Sequence, residues 1–514
     1  MRVSTLLTTN YRLLTTHYSQ MSFKTKKIRS DKKVHIISKT SKIKDAGLSI
    51  IKTNAILIVI ICVAVFGIYK ATAKVSSIIS DISSGVSVKE ILLSVISSPL
   101  DEDEYGHTNF LLLGIGGGGH DGGDLTDSII IASLDEYSNL VPMLSIPRDL
   151  YVEYNEAGTY GDRINRYYEL SKLDYEDSVE DEEEAQKLAL EDTAEKVSEI
   201  LGIEIHYYAL IDFVGFVEVV DAIGGIDVYL ESSFYDNAYP VEGTDYFQTF
   251  SLSSGDNHLD GETALKYARS RHTTSDFDRA IRQQEILNAI KDKTFSLGVL
   301  GSPGKLKDLY EAISDNFVTN LNFTEIAHLG KLADDFSGDS MLSQVFTDTP
   351  WETAGFLYAP PREMFNGAAV FLPSSGDYSE IQDFANLFLY HTDLFEEQIP
   401  LQIVNSTKHE GLATDTMVYL KRYGFNVTRY GNAARVGETQ TTIFNLAGEE
   451  LEGSKTLEYL QKMLPGAVIT SEIPEDYSPI NWETEADIII EMGEDFIPYY
   501  EANYDARFYY WVSE

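Results

Sequence analysis

A single cysteine, Cys62, serves a chain of 514 residues, so no disulfide can form within it. Its folded parts must be held by ordinary apolar cores. Basic residues are scarce too: 40 Lys and Arg stand against 81 Asp and Glu, a formal net charge of −41. That acidity argues against nucleic acid as a partner and suits a protein living among cations. The glycine-rich stretch Gly116–Gly123 (GGGGHDGG) lacks both the Gly-Lys-Ser/Thr ending of a phosphate loop and the spacing of a dinucleotide fingerprint, which makes nucleotide binding improbable. No Gly-x-Ser-x-Gly elbow occurs among the strands and no cysteine lies beyond residue 62, so nothing points to a covalent nucleophile.

Long apolar runs are nearly absent as well, and the exception organises the chain. Ala55–Tyr69 (AILIVIICVAVFGIY) sits between Lys52 and Lys70, at the short end for a span, with flanking lysines that can snorkel. Residues 1–54 carry twelve basic and two acidic side chains, a net of +10, which leaves −51 for the rest. The positive-inside rule then predicts a basic cytoplasmic leader over 1–54, a transmembrane helix over 55–70, a stalk or linker over 71–106, and the remainder outside the cell membrane. A cleaved signal peptide is the rival reading, with Ala71-Thr72-Ala73 a weak cleavage site.

The chain is rich enough in apolar residues, 43% over its length, to fill two or three cores beyond that span. Asn109–Ile115 and Ser128–Leu134 read as strands flanking the glycine loop, and Leu140–Ile146 as a third that ends in Pro147-Arg148-Asp149. Asp181–Gly202 reads as an amphipathic helix and Ile211–Ile223 as a more apolar one. Glu231–His258 reads as a loop or hairpin insertion, and Glu352–Pro361 and Ala368–Pro373 as strands. From Leu401 a strand, turn, helix and strand open a second unit, and Lys455–Met463 reads as a later helix. These signals set a first domain at 107–395, a second at 399–497 and a tail at 498–514.

Charge of the scarce sign gathers in one place. Tyr267–Gln284 (YARSRHTTSDFDRAIRQQ) holds Arg269, Arg271, Arg279 and Arg282 within fourteen residues. From Asp278 the pattern is helical, with Arg279, Arg282, Gln283, Ile286, Leu287 and Ile290 on one broad face. Two guanidinium groups about 7 Å apart repel by roughly 2 kcal/mol at an effective dielectric near 20, so a converged set needs anions to hold it. Phosphate oxygens suit such planar forks best, and ordinary pairing with surface carboxylates is the alternative. Asp127, at the loop's exit before a strand, can hold a hard cation beside a phosphate. A lone Asp there more often caps a turn.

The segments LLLGIG, LTDSI, SIPRD, RIN, LIDFVGFVEVVDAIGGIDV and GETALKYARSRHTTSDFDRAIRQQ, in this order, resemble the LytR-CpsA-Psr family of cell-wall glycopolymer transferases over roughly Thr108–Lys293. The closing unit, with Asn405-Ser406-Thr407, Gly411-Leu412-Ala413 and ADIIIEMGEDF, is similar to the LytR C-terminal domain. The resemblance implies an α/β fold: a membrane-anchored α/β/α layered catalytic domain with a lipid tunnel, then a smaller α/β C-terminal domain that binds or positions wall material. It implies transfer of a glycopolymer from a polyprenyl-pyrophosphate carrier to peptidoglycan, with Mg2+, or Mn2+ in its place, held at Asp127. Pyrophosphate contacts fall to Arg148, Arg269, Arg271, Arg279 and Arg282, joined by Arg163 where the family usually has Lys. Asn165 and Gln283 are orienting residues. Arg148, Arg271 and Arg279 are the catalytic cations, and Asp149 is a candidate general base.

The chain departs from the family pattern where Gly114-Ile115-Gly116 is followed by more glycine instead of Asp and Arg, and where Leu125 replaces an Arg. This puts one metal ligand and one phosphate contact of the family pattern in question, with Asp121 or Asp124 the candidates to substitute. Two other functions stay open: a polyprenyl-pyrophosphate hydrolase, in which water replaces the acceptor hydroxyl, and a non-catalytic surface binder of anionic glycolipid or polymer.

Overall fold

A computed structural model describes residues 99–503 apart from residues 121, 136–140, 155–159, 242–243, 245, 271–275, 297–315, 479–481 and parts of 323–341. The leader, the apolar run 55–69, residues 71–98 of the expected stalk, the tail beyond 503 and Arg271 therefore lie outside the described residues. Among the described residues no helix is long and apolar enough to cross a membrane.

The first sheet is built around β1 (His107–Gly114), whose six inner residues are all buried. Such a strand must be covered on both faces. It pairs antiparallel with β2 (Ser128–Asp135), which pairs antiparallel with β3 (Met143–Ser145). A side hairpin, β4 (Tyr151–Glu153) with β5 (Gly161–Arg163), comes next. On the other flank β6 (Tyr207–Ile211) runs parallel to β1. Three smaller strand pairs complete the domain's edges: β7 (Ile226–Leu230) with β10 (Gly255–Leu259), β8 (Phe234–Pro240) with β9 (Phe247–Leu252), and β13 (Leu357–Tyr358) with β14 (Leu372–Pro373). With β11 (Phe317–Thr319) and β12 (Ser343–Val345) at the rims, the main sheet has the order β11-β6-β1-β2-β3-β12.

Side-chain alternation assigns the two faces. Leu111, Leu113, Ile129 and Ile131 pack on one side, with α1 (Tyr167–Glu176), α2 (Glu182–Leu201) and the later α6 (Ser379–Tyr390). Phe110, Leu112, Ile130 and Ala132 pack on the other, with α3 (Phe213–Ala222), α4 (Gly261–Arg269) and α5 (Asp276–Ser296). This is an α/β/α layering. Helix α2 has clear local causes: the Asp181 side chain caps it by accepting from the Glu183 N–H, three glutamates fill its first turn, and Gly202 ends it at φ 66°.

Some expected bounds shift. The helix expected from Ile211 starts at Phe213, because Ile211 closes β6 and Asp212 caps the helix through the Gly215 N–H. The strands expected over 352–361 and 368–373 shrink to two residues each, since Pro360 and Pro361 offer no amide donors and a 3-10 turn at Arg362–Phe365 comes directly after them. Glu231–His258 resolves into the β8–β9 hairpin and β10.

After α7 (Asp393–Glu397), a second sheet of five strands has the order β16-β15-β19-β17-β18. It comprises β15 (Leu401–Asn405), β16 (Val427–Asn432), β17 (Thr442–Asn445), β18 (Val468–Thr470) and β19 (Ile488–Met492), packed with α8 (Leu412–Arg422) and α9 (Lys455–Met463). One apolar cluster runs unbroken from Leu111 in the first sheet to Ile490 in the second. At the seam the Arg422 guanidinium, 2% exposed, donates to the Gly355 carbonyl at 2.7 Å and pairs with buried Glu380 at 3.3 Å. It also lies 4.5 Å from the Phe356 ring centroid.

Candidate active site

The sheet's strand directions bring separate parts of the chain to one edge. Because β1 and β2 are antiparallel, Gly114 faces Ser128, and the Asp127 N–H donates to the Gly114 carbonyl at 2.9 Å. Strand β3 returns toward the same edge, so Arg148 arrives beside Asp127, and the end of β6 delivers Asp212 and Phe213 there. Chain ends of this kind are where α/β sheets place ligands.

A cavity of about 720 Å³ opens at this edge, between the sheet and helices α3, α4 and α5. Its depth is apolar, lined by Leu112, Ile130, Phe216, Val219, Leu265, Ile286, Leu287, Ile290 and Phe317. Its polar wall holds His120, Asp127, Arg148, Asp212, Asp236, Arg269, Arg279 and Gln283. The arginine helix spans both characters. Arg279 and Gln283, one turn apart, precede Ile286, Leu287 and Ile290 on its cavity face. Gln284 fixes that face by donating to Ser145 Oγ at 2.9 Å and the Gln344 carbonyl at 3.3 Å.

Of the residues singled out in the sequence, Asp127, Arg148, Arg269, Arg279 and Gln283 line the cavity together. Arg148 donates to Asp127 Oδ1 at 2.8 Å, which orients both side chains. Arg279 is only 4% exposed. The Arg269 guanidinium carbon lies 4.2 Å from the Phe213 ring centroid, a cation–π contact that holds it against the wall.

Four candidates stand elsewhere. Arg282 lies three residues after Arg279, yet it turns to the end of α4, where Nε donates to the Tyr267 carbonyl at 3.1 Å and Nη2 to the Ser270 carbonyl. Phe234 and Tyr267 rings flank it, and it is not in the cavity wall. It secures a helix end and is not among the arginines that line the cavity. Asp149, the candidate general base, is buried away from the wall between Arg148 Nε at 3.7 Å and Arg163 Nη1 at 3.3 Å. Arg163 is spent on Asp149 behind the cavity. Asn165 is 1% exposed, and its backbone carbonyl accepts from the Thr126 N–H at 2.9 Å, so it braces the strand entry next to Asp127.

The glycine loop closes on itself, the Gly117 N–H donating to the Gly123 carbonyl at 2.9 Å. A Cβ on Gly117 (φ +79°) would lie 2.6 Å from Asp212 Oδ2, and one on Gly123 would lie 2.4 Å from the Gly117 carbonyl oxygen. Asp124, the loop's last acid, is taken by Lys172 Nζ at 3.1 Å. Sequence reasoning passed over His120, Asp212, Phe213 and Asp236. The one available signal was that His120 is the only ring in a glycine-rich loop.

Among the described residues no group of three or more His, Cys, Asp or Glu side chains is arranged to hold a metal ion. Asp127 offers a single hard carboxylate beside a cationic wall. That donor set fits Mg2+ only where phosphate oxygens and water complete the coordination.

The LytR_cpsA_psr family model matches residues 65–385. The model described as the LytR cell envelope-related transcriptional attenuator matches residues 398–496. The chain belongs to the LytR-CpsA-Psr family. It is 26% identical over 412 residues to the cell wall biosynthesis protein LcpA of Corynebacterium glutamicum, covering 75% of this chain and 73% of that protein. It is 31% identical over 244 residues to TagV of Bacillus subtilis, a polyisoprenyl-teichoic acid–peptidoglycan teichoic acid transferase, covering 47% of this chain and 54% of TagV. The chain thus spans about half the length of that relative. Among solved structures, B. subtilis TagV is similar with a TM-score of 0.41 and 27% identity, covering 56% of this chain and 98% of that one. TagT bound to LIIa-WTA has a TM-score of 0.40 and 25% identity, covering 56% and 94%.

Proposed function

We propose that the chain is a phosphotransferase that moves a glycopolymer from a polyprenyl-pyrophosphate carrier to peptidoglycan in the cell envelope. The observation that carries this reading is one cavity with an apolar depth and a wall bearing Arg148, Arg269 and Arg279 beside Asp127. An amphiphile with a long hydrocarbon tail and a doubly charged head matches both halves. The relative's name points the same way, since TagV is a polyisoprenyl-teichoic acid–peptidoglycan teichoic acid transferase.

In this reading the apolar depth takes the polyprenyl tail. Arg148, Arg269 and Arg279 grip the diphosphate and neutralise charge as its bridging bond breaks, the electrostatic term that dominates phosphoryl transfer. Gln283 orients a phosphate oxygen. Asp127 would hold Mg2+, which supplies further charge neutralisation when bound. The Asp127 contact keeps Arg148 aimed at the head group. Residues 55–70 are the single membrane span, with the basic leader inside and the domains outside, a reading supported by the charge reversal across that run.

The test uses the full chain in detergent with a short lipid-pyrophosphate glycan, Mg2+ and peptidoglycan fragments. Glycan joined to peptidoglycan, lost in Arg279→Ala and Arg271→Ala, is the expected product. Free phosphoglycan alone, with acceptor present, would make the protein a hydrolase. Tight binding with no product would make it a surface receptor.

A further inference from the structure

After the first strand the stretch Gly116–Gly123 is nearly all glycine, and one ring, His120, stands in it. The closure at Gly117 and Gly123 draws the loop tight, and His120 N–H donates to the Gly117 carbonyl at 3.4 Å. The His120 side chain lines the cavity and meets Phe213 edge-on, ring centroids 5.2 Å apart at 77°. Phe213 also carries the Arg269 guanidinium, so a single aromatic ring ties an imidazole and a phosphate-binding cation to one patch of wall.

The three carboxylates in that wall, Asp127, Asp212 and Asp236, each accept a hydrogen bond. Asp127 accepts from Arg148 at 2.8 Å. Asp236 accepts the Ala238 N–H at 2.9 Å and lies in the field of Arg282. Asp212 caps α3 through the Gly215 N–H at 2.8 Å. Among the described residues lining the cavity, His120 is the only histidine. Imidazole is also the only side chain whose ordinary titration falls near neutral pH.

We propose that His120 accepts the proton of the incoming hydroxyl, in place of Asp149, an inference that rests on the transfer reading above. The acceptor oxygen attacks the glycan-side phosphorus and forms the new P–O bond. The bond from that phosphorus to the bridging oxygen breaks, and its electron pair departs with the polyprenyl monophosphate, held by the arginines. The hydroxyl proton passes to the imidazole, which then releases it to solvent. Among the described residues, Asp212 at the start of α3 is electrostatically coupled to His120, and Arg269 at the end of α4 shares the Phe213 ring with it. Burial raises the Asp212 carboxyl and the nearby His120 opposes that rise.

The experiment compares the full chain with His120→Gln and His120→Ala, measuring kcat and KM for transfer from pH 5.5 to 9 and the affinity for a non-transferable lipid diphosphate. The parent's kcat is expected to fall on an acidic limb. His120→Gln is expected to lose roughly 100-fold or more in kcat and to lose that limb, with KM and lipid affinity within about threefold of the parent. Added imidazole is expected to restore part of the rate to His120→Ala. A variant that keeps both its kcat and the acidic limb overturns the proposal while leaving the transfer reading intact. A parent chain that forms no peptidoglycan-linked product overturns the transfer reading and this inference together.

Discussion

Replacing Arg422 with methionine would strip the seam between the two sheets of a buried cation while leaving the Glu380 carboxylate, 3% exposed, where it is. A buried charge that loses its partner costs about 3–5 kcal/mol. The Gly355 carbonyl would also lose the donor now 2.7 Å away. Replacing both members, Arg422→Met with Glu380→Met, removes the buried ion pair as a whole and leaves mainly that carbonyl unserved, a cost of about 1–3 kcal/mol. Urea unfolding can follow both sides of the seam, because Trp351 precedes it and Trp482 lies in the second domain. With an apolar core shared across the seam, both signals should change in one transition. The single variant should lower its stability by about 3–5 kcal/mol, and the double variant should recover part of that loss. A single variant costing less than about 1 kcal/mol, or a double variant worse than the single, would refute the reasoning. The effect should reach the active site. The Ala354 N–H donates to the Arg422 carbonyl at 2.9 Å, the Thr347 N–H to the Ala354 carbonyl at 3.0 Å, and farther along this segment the Phe371 N–H donates to the Asp149 carbonyl at 2.9 Å, next to Arg148.

Gly117→Ala should destabilise the glycine loop by about 1–3 kcal/mol and reduce transfer, because its φ of +79° and a Cβ 2.6 Å from Asp212 Oδ2 both oppose a side chain. Gly118→Ala, with nothing within 4 Å of its Cβ, is the matched control in the same unfolding and activity assays. Burial holds His107 below the usual histidine range against the pull of Asp135, Asp103 and Glu102. The unfolded chain therefore binds the proton more readily, and this contribution to stability is full above about pH 6.5 and lost as pH falls through the depressed value. The drop in urea midpoint between pH 7.5 and pH 5.5 should shrink in His107→Gln. Asp127→Asn should raise the Mg2+ concentration needed for half-maximal binding of a prenyl diphosphate by about tenfold; an unchanged requirement would place the ion elsewhere.

Much of the layered fold was legible in the chain. Phe110–Leu113 is apolar at every position, as a strand covered on both faces requires, and Asp181 and Gly202 bracket α2 with the residues its ends demand. The rims were not. Strands β11 and β12 have three residues each, too short for any periodicity, and their pairing partners β6 and β3 are remote in sequence. At the site, the gathering of cations was visible but its division was not. Arg279 and Arg282 share residue type and helix, and only the carbonyls at the end of α4 decide which one turns from the cavity. Asp149 looked available for chemistry because nothing in the local sequence shows that Arg163, fourteen residues on, returns to it through the β4–β5 hairpin.

The cationic wall of this cavity holds a diphosphate, on the proposed function, while its depth holds a hydrocarbon tail. Equilibrium binding of a short prenyl diphosphate to the full chain, compared with Arg148→Ala and Arg279→Ala, addresses that division directly. Losing one charged hydrogen bond, worth about 1.5–3 kcal/mol, should weaken each variant by roughly 10- to 150-fold, and the matching prenyl alcohol should fail to compete at similar concentration. Equal affinity in parent and variants, or equal competition by the alcohol, would contradict it.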